Sequence, residues 1–95
     1  MKLSKEQLEK ITELSSLFLS PREIACLMDL DIPTLLDRIA DSSSPEAIAY
    51  FKGKTLSKYE IRQKVIALAK MGSPAAETLA ERYIEQQRLD EDEQY

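Results

Sequence analysis

The chain has 95 residues, 43% of them apolar and 32% charged, with a net charge of −4, one cysteine (Cys26) and no histidine. That length fits one domain, and two glycines with four prolines suit a helical chain with short connections. The composition excludes an internal disulfide framework, a Cys/His zinc site and any Ser-His or Cys-His nucleophile pair, and no apolar run approaches the roughly 18 residues of a membrane span.

Ser4 opens the first helix as an N-cap, with Gln7 placed to complete a capping box. Leu8, Ile11, Leu14 (or Ser15) and Phe18 recur at helical spacing, so the helix is expected to end near Phe18 or Leu19. Ser20-Pro21-Arg22-Glu23 is the clearest helix start in the chain, because serine caps, proline suits the first helical position and glutamate reaches back. The second helix runs to about Met28, with Ile24, Leu27 and Met28 inward and Ala25 small enough for a close crossing. Cys26 lies beside these apolar residues and is expected to be a small buried hydrophobe rather than a reactive thiol.

Asp29-Leu30-Asp31 is the turn. Asp29 stands where glycine would supply a positive φ, and aspartate tolerates that region better than most residues. Leu30 plugs the space between helices, Asp31 caps the third helix, and Pro33 sits harmlessly in its first turn. Ile32, Leu35, Leu36 and Ile39 make its buried stripe. Ser20 to Ala40 therefore has the spacing of a helix-turn-helix, and its outward residues are Thr34, Asp37, Arg38 and Asp41. Two of those four are acidic, which opposes approach to phosphate.

Asp41 to Ser44 is a polar linker, and Ser44-Pro45 repeats the start signal. From Pro45 to about Met71 only Gly53 argues against helix, marking either a kink or a close contact. Gly72 ends this long helix as a left-handed cap. Ser73-Pro74 opens the last helix, expected to reach about Arg88, with Leu79, Tyr83 and Ile84 beside Ala76 and Ala80. Residues 89–95 read as a disordered acidic tail. The expected organisation is all-α: a three-helix unit over 1–41, a long helix and a C-terminal helix over 45–88, then the tail.

Charge is unevenly spread. Residues 1–44 carry −3, residues 45–72 carry +4 and residues 73–95 carry −5. Lys54, Lys58 and Arg62 form an i, i+4 row on the long helix, with Lys52 nearby. They are candidates for phosphate contact, with a solvated stripe or intersubunit pairs with Glu77, Glu81 and Glu85 as the alternatives. Leu56, Tyr59 and Ile66 flank the row on one side, and Ile61, Val65 and Leu68 on the other. A helix with two apolar faces must be covered twice, by its own domain and by a second helix from the same chain or another subunit, which suggests self-association through these six residues without requiring it. No catalytic residue, metal ligand or cofactor motif is found, and a non-enzymatic protein of the cytoplasm without a signal peptide is expected.

Taken in order, the helix-turn-helix, then Tyr50-Phe51-Lys52-Gly53-Lys54, then Ile61-Arg62 through Ala69-Lys70-Met71-Gly72-Ser73-Pro74-Ala75 resemble the terminase small subunits. These are the small helical DNA-packaging proteins of tailed phages, here similar to those in prophages of Bacteroides-type bacteria. The resemblance covers about Leu17 to Gln87. It implies a ring-forming protein that recognises viral DNA and hands it to a large terminase subunit, an ATPase-nuclease. Its recognition helix would be Ile32 to Ile39, presenting Thr34, Asp37 and Arg38, and the basic row would touch phosphate or line the assembly. Two alternatives stay open: a helical protein-interaction module that binds no nucleic acid, and a dimeric helix-turn-helix transcriptional regulator.

Overall fold

The computed structural model describes residues 1–94, and among them there are five helices and no strand. They are α1 (Lys5–Ser15), α2 (Pro21–Leu27), α3 (Ile32–Ala40), α4 (Pro45–Lys70) and α5 (Pro74–Gln94). The chain is all-α, as the periodicity predicts. No helix among the described residues is long and apolar enough to cross a membrane.

Each helix begins on a capping side chain. Ser4 with Gln7 and Ser20 with Glu23 form complete capping boxes. Asp31 accepts the Thr34 amide at 3.2 Å, Ser44 accepts that of Ala47 at 3.0 Å, and Ser73 accepts that of Ala76 at 3.3 Å. Two helices end in the same hydrogen-bond pattern. After α2 the Leu30 amide donates to the Ala25 carbonyl and that of Asp29 to Cys26, with Asp29 at φ 55°. After α4 the Ser73 amide donates to Leu68 and that of Gly72 to Ala69, with Gly72 at φ 96°. Both are Schellman closures, and aspartate fills the left-handed position in the first.

The chain divides into two compact units inside α4, the first spanning Met1–Lys58 and the second beginning at Tyr59. The sequence places this boundary at the linker of residues 42–44. It moves because the first half of α4 packs on α1: the Thr12 hydroxyl donates to the Ala49 carbonyl at 3.1 Å, and Ala49 belongs to the same buried cluster as Ile11, Leu14, Ile24, Ala25 and Leu35. α2 packs on both α1 and α3. Leu30, Ile32 and Ile39 close around this core, as their spacing predicts, while Leu36 is half-buried.

Gly53 is buried where α1 and α4 meet. A Cβ built there would overlap the Ser15 hydroxyl and the Thr12 carbonyl oxygen. Of the two expectations for this glycine, close contact is the one observed, and α4 runs without a break through it.

Other expectations are corrected. α1 stops at Ser15, three residues early, because Phe18 takes φ 61° to turn the chain into the Ser20 cap; its ring is half exposed. α2 has only seven residues and buries Ile24 and Ala25, which leaves Cys26 and Leu27 on the outward side. The helix of residues 74 onward does not stop at Arg88 but continues through Leu89 to Gln94, in place of the expected disordered tail. Tyr95 lies outside the described residues.

The second unit is thin. Its half of α4 and α5 form a helical hairpin whose one buried apolar residue, among those described, is Ala76. Arg62 stacks over the Tyr83 ring at 4.4 Å and helps join the two helices.

Two outcomes test this packing. Alanine in place of a helical glycine ordinarily stabilises by about 1 kcal/mol. Gly53→Ala is expected instead to destabilise by about 1–3 kcal/mol in urea unfolding, because the added methyl has no room; a gain would contradict the close crossing. The second concerns pH. Hydrogen bonds from Thr34, hydroxyl first and then amide, hold the Asp31 carboxyl below its ordinary range, and the Ser20 amide followed by its hydroxyl does the same for Glu23. A lowered folded-state pKa means stability that is complete above the unfolded value and lost as pH falls through the folded one. The stability gap between wild type and Asp31→Ala should therefore be widest at neutral pH and close below about pH 4.

Candidate functional site

α3 is the element expected to read DNA, and its outward side chains are largely engaged within the chain. The Thr34 hydroxyl donates to the Asp31 carboxylate as part of the cap. The Arg38 guanidinium points back to α4, with Nη2 3.1 Å and Nε 3.2 Å from Glu46 Oε2. Glu46 is only 2% exposed, so this arginine neutralises a carboxylate that has left water. The linker reinforces the arrangement, because the Ser44 hydroxyl donates to the Arg38 carbonyl. Asp41 is folded onto the Ser43 hydroxyl and amide, which hold its carboxyl below the ordinary range. Of Thr34, Asp37 and Arg38, only Asp37 is exposed without a side-chain partner among the described residues, and it is acidic. Arg38, expected to face outward, is paired with Glu46 while 37% of its side chain stays exposed.

The basic residues of α4 fall in both units. Lys52 and Lys58 are exposed in the first and make no ion pair among the described residues. Lys54 lies over the Tyr50 ring at 5.2 Å, and its charge remains available above that ring. Arg62, in the second unit, is half-buried on Tyr83. Among the described residues no ion pair with Glu77, Glu81 or Glu85 is formed by any of the four; Glu85 pairs with Arg88 instead.

The apolar faces of α4 are open. Leu56 in the first unit, and Tyr59, Ile61 and Leu68 in the second, are each close to half exposed or more, while Val65 and Ile66 are half-buried. Sequence reasoning missed two residues of this kind, Ile48 and Phe51. With Leu56 and Ile39 they line a groove of about 760 Å³ in the first unit, with Lys52 its one charged lining residue. The spacing 48, 51, 55, 56 was the available signal, but Ile48 and Phe51 lie near the helix start, where burial against α3 is the natural expectation.

This arrangement supports contact, through apolar side chains and free lysines. Among the described residues no three potential ligands gather around a metal position.

Removing the partner of Glu46 tests the reassignment of Arg38. Arg38→Ala should cost about 1–3 kcal/mol in urea unfolding, below the full value for a buried pair because the arginine keeps partial access to water. Arg38→Ala/Glu46→Leu should recover most of that loss.

No family model, curated protein or solved structure matches the chain.

Proposed function

We propose that this chain is a non-enzymatic, self-associating DNA-binding protein, of the packaging type that its Tyr50–Lys54 and Ile61–Ala75 segments resemble. The observation that carries the reading is the second unit: a helical hairpin that, among the described residues, buries one alanine while Tyr59, Ile61, Leu68 and Ile84 stand largely exposed. Such a hairpin gains little by itself, and association of copies is the common remedy for so small a core. DNA enters through α4. Lys52, Lys54 and Lys58 are cationic and free of acidic partners among the described residues, whereas α3 offers an acidic face with its arginine committed to Glu46. Contacts of this kind go to phosphate and carry no sequence information. Delivery of DNA to a large terminase subunit belongs to the same proposal.

The engagement of Thr34 and Arg38 favours a second reading, a helical interaction module that touches no nucleic acid. It also counts against a dimeric regulator, which needs α3 free to reach base edges.

A titration of mixed-sequence duplex DNA separates these. Wild type should bind at low salt, with affinity falling as salt rises. Lys54→Ala/Lys58→Ala should weaken binding and reduce the log–log salt slope by roughly 0.9 for each phosphate that is no longer neutralised. Thr34→Ala/Asp37→Ala should leave affinity unchanged or slightly improved. No binding by the wild type at low salt establishes the interaction-module reading, and weakened binding confined to the α3 variant restores the regulator.

A further inference from the structure

We propose that the groove of the first unit receives the end of α5 from a second copy of this chain. This rests on the self-association reading and adds a second contact surface to the open hairpin that carries it. The groove is apolar, with Ile48 58%, Phe51 69% and Leu56 46% exposed. The groove gathers exposed aromatic and aliphatic side chains in one place, beside a single lysine.

Charge decides between the possible occupants. Lys52 is the one charged residue lining the groove, and Lys54 and Lys58 follow on the same helix. A two-fold contact of groove on groove sets each patch against its own copy. It would bring two lysines and no carboxylate into one drying contact, which leaves each cation without a partner. The end of α5 has the opposite character. Residues 85–93 are exposed throughout, and they carry Glu85, Asp90, Glu91, Asp92 and Glu93 against Arg88. Leu89 is half exposed, with Asp92 and Glu93 at i+3 and i+4 on its face. One apolar anchor beside two carboxylates matches one apolar groove with a lysine in its lining. The same segment is helical with no packing of its own, and isolated helices this short are marginal in water. Burial in the groove supplies the missing support. The contact joins different surfaces of the two copies, so it propagates head to tail and closes only if the rotation permits.

Light scattering on a sizing column tests this with two variants that alter exposed residues. Phe51→Glu/Lys52→Glu spoils the groove, and Leu89→Lys/Asp92→Lys/Glu93→Lys reverses the helix end. Circular dichroism should show wild-type helix content in both. Wild type should exceed the 10.8 kDa of one chain, with a mass that falls as salt rises. Each variant alone should show a smaller mass than wild type, because the head-to-tail contact is lost while the hairpin face is unaltered. Mixed, they should regain mass that neither shows alone, because one intact groove meets one intact helix end. Either variant retaining the wild-type mass, or the mixture failing to pair, overturns this docking while leaving self-association standing. A monomeric wild type removes both, and the DNA titration is read independently of either result.

Discussion

The closeness of α1 to α4 at Gly53 is the constraint on which the first unit depends. The absence of a side chain at this one position lets the Thr12 carbonyl and the Ser15 hydroxyl lie against the α4 backbone. Thr12 then reaches the Ala49 carbonyl, a side chain of one helix bonded to the backbone of the other. Gly53 trades local helix propensity for proximity, and the proximity brings Ala49 into the cluster around Ile11 and Leu35. The first half of α4 thereby belongs to the N-terminal unit.

A second tie holds α3 to the start of α4. Ser44 caps α4 with its hydroxyl oxygen and donates its proton to the Arg38 carbonyl, while Arg38 covers the buried Glu46 just beyond. A short linker with three serines thus fixes the angle at which α3 enters α4. Arg38, the one cation of α3, is thereby paired within the fold, and the exposed charge left on that helix is Asp37. Positive charge is left free on α4, beside exposed apolar surface. Association and phosphate contact are therefore carried by the same element in the proposed function, and the acidic end of α5 becomes a natural complement to it.

Exposure of apolar side chains follows a gradient along the chain. Ile11, Ile24 and Leu35 are completely buried near the N-terminus, whereas the hairpin from Tyr59 onward buries one alanine among its described residues. Alanine at the tightest point permits close helix approach but contributes little apolar area. The hairpin is better understood as half of an interface than as a core.

The sequence by itself determined where the helices begin, because capping is local chemistry. Ser4, Ser20, Asp31, Ser44 and Ser73 each satisfy amides a few residues away, and neighbours alone decide it. It determined equally that Asp29 and Gly72 take left-handed backbone. Helix ends without such a signal were less legible: α1 stops at Ser15 so that Phe18 can turn, and α5 runs on through its carboxylates to Gln94. Only the tertiary structure decided which candidate residues face outward. Arg38 and Glu46 are eight residues apart on different helices, so no periodicity pairs them, and Cys26 is exposed because α2 commits its inward positions to Ile24 and Ala25. Whether Gly53 meant a kink or a contact depended on Thr12 and Ser15, roughly forty residues earlier in the chain. Local hydrogen bonding can be read along the sequence, while burial is a property of the whole arrangement in space.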